Sequence, residues 1–416
     1  MRSRDQKLAL LGIASLAIYV LACQPGFSPD GSKILVTAAG GTNRQGQVLV
    51  YDCKASKWTP LLTVAKSLGG NGTPIPTAIW SADGKEVIAA WASDEHRVMV
   101  SVLPVGGVGP TRLFQVDHLD EALPALMVPP ALMVRPGLPA PYLLFGGGSI
   151  TALNLESGVT DQQKLAGNDT TNAPKKAIYL VGQGAEVFYL LGGDGTIEAG
   201  RLDLQSLRPS PLLELKTAKE DANPFLAVSK TGSRMALTRG DADNQGLLIY
   251  RQFQLERTLP FGATNNGIIL GNLVWSLDGK TLYAAGFRPL KPGPIAKARH
   301  AGYEALRAVG LKPTEPKTLD LQVSVCEIPL AGKPFRETPL FRIASAHDET
   351  FLMLYQIALS PDGKTIAASA GLSEDDQGTR ERDRALYLLD LSRAGRPVSR
   401  IPIPRATVVP AGVFSK

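Results

Sequence analysis

The stretch LSPDGKTIAAS (359–369) places a tight-turn signature directly before an apolar run. Its proline presets φ, its aspartate can bond the local backbone, and its glycine tolerates positive φ. Each copy therefore predicts a hairpin between two strands, with Gly363 and its counterparts at positive φ. The four other copies are FSPDGSKILV (27–36), WSADGKEVIAA (80–90), VSKTGSRMAL (228–237) and WSLDGKTLYAA (275–285).

A second motif, an alternating apolar strand that often ends near Asp, gives the period of the repeat independently. Its copies recur about every 50 residues except in the sixth unit, which is longer, and this spacing is typical of propeller blades. There are seven copies: QVLVYD (47–52), RVMVSVL (97–103), SITALNL (149–155), TIEAGRLDL (196–204), LLIYRQ (247–252), LQVSVCEI (321–328) and ALYLLDL (385–391).

The two motifs together predict an all-β chain that forms one seven-bladed β-propeller over 23–416, with a short helical insertion in blade six. Each blade would hold an inner strand before the turn, a second strand after it, the alternating third strand and an outer edge strand. Two units, near MVRPG (133–137) and IYLVGQG (178–184), lack the turn. The apolar segment 406–416 is predicted as a further strand that pairs with, or replaces, the inner strand of blade one.

The Asp-Gly-Lys turns resemble the repeats of TolB-type and WD-repeat-like bacterial β-propellers, and the resemblance covers nearly all of 24–416. It implies the fold. It does not imply one activity, because the same architecture hosts binding, scaffolding and catalysis.

The first residues have the layout of a signal peptide, predicted over 1–22. Arg2, Arg4 and Lys7 precede the uncharged run from Leu8 to Ala22, which is shorter than the roughly 20 residues that span a bilayer as a helix. The junction VLAC (20–23) resembles the end of a bacterial lipoprotein signal. This implies lipidation of Cys23 and a membrane-anchored protein of the cell envelope, facing the periplasm or the exterior. Plain secretory cleavage and a retained membrane anchor are the alternatives.

Composition describes a globular chain rich in turns, because 42 Gly and 31 Pro occur without a collagen period. The net charge of +6 is scattered along the sequence and gives only weak support for an anionic partner. Nucleic acid is not indicated as a partner.

The cysteines that follow the lipidation site, Cys53 and Cys326, fall in blades one and six of the predicted ring. These blades are not neighbours, whereas the Cα atoms of a disulfide lie within about 7 Å of each other. Two free thiols are therefore predicted.

Polar residues collect in the loops that enter the inner strands, which the repeat places around one mouth of the central channel. A ligand-binding site is predicted there. Imidazole and carboxylate groups suit a divalent metal, but their spacing matches no metal motif, so neither metal nor cofactor is predicted. Solvated loops that cap strand ends are the simpler interpretation. The nine candidates are His118, Asp120, Glu121, Asp221, Asn223, Asn265, His347, Asp348 and Glu349.

Three glycine-rich loops are better explained as hairpins than as ligand sites. The segment 240–246 resembles an oxygen-rich calcium loop but lacks the later acidic ligand. The segments 146–149 and 192–196 do not lead into a helix with the Lys and Ser or Thr that phosphate binding requires.

The lengthened sixth unit carries the insertion 288–320, in which apolar residues at helical spacing predict a short amphipathic helix over about 295–309. Lys297, Arg299 and Arg307 would present positive charge. The insertion is either a solvated cover over the propeller or a docking surface for an acidic partner or anionic lipid heads.

The leading functional hypothesis is an exported, lipid-anchored propeller that binds a protein or an envelope polymer through its loop-rich face and is not an enzyme. The sequence has no Gly-x-Ser-x-Gly elbow and no triad signature. The competing hypothesis is a propeller enzyme of lactonase or hydrolase type with its site at the channel mouth. A purely structural lipoprotein is the third.

Overall fold

The structure is a computed structural model that describes part of the chain. The residues it describes are 25–40, 45–64, 76–94, 97–107, 109–117, 131–134, 141–145, 149–164, 177–183, 186–193, 196–216, 225–240, 245–262, 266–290, 305, 308, 321–331, 334–343, 351–373 and 381–404.

The described strands form seven four-stranded sheets. Blades one to three contain β1 Pro25–Phe27, β2 Lys33–Gly40, β3 Gln45–Asp52, β4 Lys57–Val64, β5 Thr77–Trp80, β6 Glu86–Asp94, β7 Arg97–Pro104, β8 Arg112–Val116, β9 Ala131–Val134, β10 Pro141–Phe145, β11 Ser149–Asn154 and β12 Thr160–Lys164. Blades four and five contain β13 Ala177–Gln183, β14 Glu186–Gly193, β15 Thr196–Asp203, β16 Arg208–Lys216, β17 Leu226–Val228, β18 Arg234–Arg239, β19 Gln245–Arg251 and β20 Gln254–Phe261. Blades six and seven contain β21 Ile269–Trp275, β22 Thr281–Pro289, β23 Leu321–Pro329, β24 Arg336–Ile343, β25 Phe351–Leu359, β26 Thr365–Ser373, β27 Glu381–Asp390 and β28 Val398–Pro402.

Every sheet is an antiparallel meander whose first strand lies innermost. Inner strands of neighbouring blades contact one another, including β17 with β21, β21 with β25, and β25 with β1. The seven-bladed β-propeller is thus confirmed, and each predicted alternating segment is the third strand of its blade. Blade one is built from β1 to β4 and blade seven from β25 to β28, while the predicted strand over 406–416 lies outside the described residues.

The core consists of seven apolar clusters, one at each junction between blades. Successive side chains of a strand point to opposite faces, so each strand serves two junctions. In β2, Ile34 and Val36 pack against blade seven, whereas Leu35 packs against blade two. The ring closes by the same packing, supported by a hydrogen bond from Trp58 Nε1 of blade one to the Pro402 carbonyl of blade seven (3.0 Å).

The repeated turn has one hydrogen-bond pattern. In blade seven, the Ser360 hydroxyl donates to Asp362 Oδ1 (2.6 Å) and accepts from the Thr365 N–H (2.9 Å). Asp362 Oδ1 also accepts the Lys364 N–H (3.0 Å), and the Gly363 N–H donates to the Ser360 carbonyl (2.9 Å). The predicted positive φ is confirmed in all five copies, at 73° for Gly31, 69° for Gly84, 68° for Gly232, 65° for Gly279 and 72° for Gly363.

The five turns belong to blades five, six, seven, one and two, which are consecutive around the ring, and we call them the turn arc. Adjacent turns of the arc pack closely. A Cβ at Gly84 would lie 3.0 Å from Cδ of Pro29, and a Cβ at Gly363 would lie 3.0 Å from Cδ1 of Leu277. All five turn positions favour glycine because φ is positive. At Gly84 and Gly363, the side chain of the adjacent turn also leaves little room for a Cβ.

A third repeat, absent from the sequence-based predictions, shapes the outer strands of blades one, four and six. Each has Thr or Ser, then Pro, then Leu, at 59–61, 210–212 and 338–340. In each the leucine is the extra residue of a β-bulge, so that β4, β16 and β24 carry one residue more than their partners. The bulge turns two successive side chains, such as Leu340 and Phe341, towards one junction cluster.

Several smaller predictions can be compared with the structure. Cys53 and Cys326 are free, as predicted, and burial raises the pKa of both thiols. The three glycine-rich loops join paired antiparallel strands, which confirms the hairpin interpretation. The helical insertion is not confirmed: of the predicted helix over 295–309, only Ala305 and Ala308 are described, both in helical conformation.

Candidate functional site

The channel-mouth site predicted from the sequence stays a prediction. All nine candidates lie outside the described residues, as does the lipidation site Cys23. The unplaced candidates are His118, Asp120, Glu121, Asp221, Asn223, Asn265, His347, Asp348 and Glu349.

The described residues that flank two of these loops have structural partners. Asp117 accepts hydrogen bonds from Arg97 Nε (2.9 Å) and from Gln115 Nε2 (2.9 Å), which join the outer strand of blade two to its third strand. Asn266 Oδ1 accepts the Ile268 N–H (3.0 Å) at the entry to blade six. Within the described part of the chain, no group of three or more His, Cys, Asp or Glu side chains is suited to a metal ion.

The described surface does contain a groove of about 810 Å³ on the side of the ring, between β20 of blade five and the β23–β24 hairpin of blade six. We call it the blade 5/6 groove. Its apolar lining comes from both blades: Leu259, Pro260, Phe261, Ile328, Pro329, Leu330, Ala331 and Phe335.

Two aromatic rings form the centre of the blade 5/6 groove. Phe335 is 41% exposed, and its ring meets Phe261 in an edge-on arrangement with centroids 6.0 Å apart. Phe261 is buried and belongs to the cluster between blades five and six, together with Ile328. The floor is therefore part of a packed core, while Phe335 remains available to a partner.

The polar rim of the groove consists of Glu256, Arg257 and Asn266. Arg257 Nη1 donates to the Leu330 carbonyl (3.0 Å), which links the two walls, and Glu256 Oε1 lies 3.5 Å from Nη2 of Arg234. Glu256 is thus ion-paired with Arg234, whereas Arg257 is hydrogen-bonded to a neutral carbonyl and keeps its positive charge at the rim.

A polar network at the same junction holds the start of the sixth-blade insertion. Glu337 accepts hydrogen bonds from Arg288 Nη2 (2.5 Å), Ser324 Oγ (2.6 Å) and Gln322 Nε2 (3.0 Å). Burial acts to raise the pKa of Glu337, but these hydrogen bonds outweigh it and hold the pKa below its ordinary value. Arg288 Nη1 also donates to the Asn266 carbonyl (3.1 Å), so the network fixes the blade five to blade six connection beside the groove.

The described lining of the groove is mostly apolar. Its described lining holds one carboxylate, Glu256, which lies 3.5 Å from Nη2 of Arg234. An apolar floor with a few placed polar groups is typical of a site that accepts apolar side chains.

Sequence reasoning missed this groove because its two halves are separate in the chain. The two halves share only a Pro-Phe dipeptide, at 260–261 and 334–335, and the same dipeptide at 224–225 does not line the groove. Neither half indicates a site until blades five and six are placed side by side.

Comparison with known proteins supports the fold alone. No family model and no curated protein sequence matches the chain. Among solved structures, a Bacteroides uniformis protein provisionally assigned as a 6-phosphogluconolactonase is similar with a TM-score of 0.50 and 14% identity, over 89% of this chain and 95% of that one. The chain also shows more distant similarity to the β-propeller domain of Myceliophteria thermophila Cps50 (Swd1), with a TM-score of 0.48 and 13% identity over 83% of this chain and 91% of that one. A chain of the mitotic checkpoint complex has the same TM-score and identity, over 84% and 87%.

Proposed function

We propose that this protein is an exported, lipid-anchored β-propeller that binds a partner protein and does not catalyse a reaction. The observation that carries the proposal is the blade 5/6 groove, which joins an exposed aromatic ring to an apolar floor and has a hydrogen-bonded polar rim. Aromatic anchors in preformed apolar pockets contribute strongly to protein binding.

The lining favours a segment of a protein over an envelope polymer. A saccharide chain presents many hydroxyl groups that need partners, whereas Arg257 already bonds the Leu330 carbonyl and most of the described lining is apolar. An apolar or aromatic side chain of a partner would instead lie against Phe335.

The proposed cellular location is supported by the N-terminal sequence. Arg2, Arg4 and Lys7 precede an apolar run that ends at Ala22, directly before Cys23. In the described part of the chain, no helix has the length and apolar character needed to cross a bilayer. We expect Cys23→Ser to move the protein from the membrane fraction to a soluble exported form, measured by fractionation and by metabolic labelling with a fatty acid. Membrane attachment that persists in this variant would instead indicate an uncleaved anchor.

Site-specific photo-cross-linking tests the proposed binding site. Benzoylphenylalanine in place of Phe335 should capture a discrete partner protein in membranes of the native host, whereas the same group in place of Leu212 should not. Leu212 is the matched control, because it is also 41% exposed and lies on the outer strand of blade four. Capture from Asn265 alone would place binding at the channel mouth. Capture of saccharide, or equal capture from Phe335 and Leu212, would contradict a protein-binding groove.

A further inference from the structure

The seven outer strands differ in how they protect their free edges. Exposed backbone groups at a sheet edge can pair with another chain, and prolines, bulges and charges prevent this. Four outer strands, β4, β16, β20 and β24, carry both a bulge and a proline, and β28 carries Pro402 at its end. The described outer strands of blades two and three, β8 and β12, have neither.

Of these two regular edges, β8 is the apolar one. Its sequence is Arg-Leu-Phe-Gln-Val over 112–116, and its second residue, Leu113, is 50% exposed. The strand β12 reads Thr-Asp-Gln-Gln-Lys and is polar throughout. The pairing of β8 with β7 is uninterrupted from Val98↔Val116 to Val102↔Arg112, and β8 is the last strand of its sheet.

Apolar side chains occur on both faces of this edge. Leu113 points to one face, and Phe114 points to the other, because side chains alternate along a strand. Phe114 packs against the cluster between blades two and three and lies beside Gly158, where a Cβ would be 3.2 Å from its ring. The next residue, Val159, is 65% exposed. A strand added to β8 would therefore meet apolar side chains above and below.

Charged groups near the edge are already paired, which holds β8 in place. Arg112 forms a bidentate pair with Glu86 (2.9 and 3.0 Å) and donates from Nη1 to the Leu155 carbonyl of blade three (2.9 Å). At the other end, Asp117 is bonded to Arg97. The edge is fixed in geometry and electrically balanced before any partner arrives.

We infer that the outer edge of β8 binds an extended, uncharged, apolar segment of a partner protein as a fifth strand of blade two. Backbone hydrogen bonds would supply affinity, and the apolar contacts on both faces would select side chains. A five-residue strand spans only about 17 Å. Pairing of that length falls well short of the roughly 1,600 Å² of a standard interface, so a flexible segment fits better than a second rigid propeller.

Binding of a defined peptide to the full mature chain tests this inference. The probe is a fluorescein-labelled, capped peptide of about seven alternating threonine and valine residues, compared with the same peptide N-methylated at alternate positions. We expect the first peptide to bind and the methylated one to lose binding. We expect Leu113→Lys to weaken binding by about tenfold or more, and Leu255→Lys by less than about twofold. Leu255 is the matched control because it is 56% exposed on the bulged edge β20.

Val159→Lys is a second test variant. Val159 lies in the turn between β11 and β12 of blade three, so this change should weaken the apolar contact with the peptide without disturbing the pairing of β8 with β7. Equal binding of both peptides, or equal loss in Leu113→Lys and Leu255→Lys, would overturn the inference. So would failure of the unmethylated peptide to bind. Concentration-dependent dimers that Leu113→Lys abolishes would show that the occupant is a second copy of the chain. Cross-linking from Phe335 reports on the other side of the ring, so the two proposals can fail separately.

Discussion

Blades three and four lack the Ser-x-Asp-Gly turn, and their second strands bury larger side chains than the second strands of blades two, six and seven in the turn arc. The second strand of blade three buries Leu143 and Leu144, and that of blade four buries Phe188 and Tyr189. In the arc, the second strands of blades two, six and seven instead place paired alanines in the core, at 89–90, 284–285 and 367–368. Bulky apolar packing therefore holds the second strands of blades three and four, whereas those of blades two, six and seven combine a tightly bonded turn with small core residues.

Removal of a large side chain from blade four should have the largest effect. Phe188 is fully buried in the cluster between blades four and five and lies against the blade five turn, where a Cβ at Gly232 would be 3.1 Å from its ring. We expect Phe188→Ala to lower the free energy of unfolding by about 3–5 kcal/mol, because it leaves a cavity. Urea denaturation would measure this, with Phe188→Leu as the smaller control. A cost no greater than that of the turn variant below would contradict the comparison.

A glycine substitution in the turn arc should have the next largest effect. We expect Gly363→Val to cost about 2 kcal/mol or more, because φ is 72° and the new Cβ would lie 3.0 Å from Leu277. Gly395→Val is the control, since its φ is 85° but no atom lies within 4 Å of a Cβ. The difference between the two variants in thermal unfolding isolates the contact between adjacent turns. Equal losses would mean that only backbone conformation matters.

These two regions also show how far the sequence could predict the structure. The turn and the alternating third strand are local patterns, so Gly363 at positive φ and all seven third strands followed from a few residues each. Blades three and four, which lack the turn, were predicted from the alternating third strand and its spacing. The blade 5/6 groove could not be predicted, because Phe261 and Phe335 come together only when two blades pack.

Acid should weaken the turn arc more than it weakens blades three and four. Hydrogen bonds from the Ser28 hydroxyl and Ser32 lower the pKa of Asp30 to about 2, and a bond from the Ser360 hydroxyl lowers that of Asp362. Because the folded pKa lies below the unfolded one, these groups stabilise the fold above about pH 4. They lose that contribution as the pH falls through the folded pKa.

We expect Asp362→Asn to be slightly less stable than the native chain at pH 7, by about 0–1 kcal/mol, as is usual for exposed charged groups. Its melting temperature should then fall less steeply between about pH 4 and pH 2. Blade five provides an internal comparison, because Thr231 replaces the aspartate there and its hydroxyl lies 3.5 Å from that of Ser229, compared with 2.6 Å in blade seven. Identical acid profiles for the variant and the native chain would exclude this carboxylate as a source of acid sensitivity.

The smallest effect is expected from removal of the sixth-blade insertion, which neither turn chemistry nor core packing requires. Strands β22 and β23 pair without interruption from Thr281↔Pro329 to Pro289↔Leu321, so the two ends of the insertion start from adjacent positions in the sheet. Arg288 keeps its bonds to Glu337 and to the Asn266 carbonyl, since all three residues lie outside the deleted segment.

Replacement of 292–312 by a short Gly-Ser hairpin should therefore leave the melting temperature nearly unchanged, measured by circular dichroism alongside the native chain. A hairpin of the same length in place of 374–380, between β26 and β27, is the control for loop replacement in general. Unfolding of the deletion variant alone would show that the insertion is part of the core of blade six. If the deletion variant folds but no longer cross-links a partner protein, the insertion is a docking surface. If it folds and still cross-links the partner, the insertion is a solvated cover.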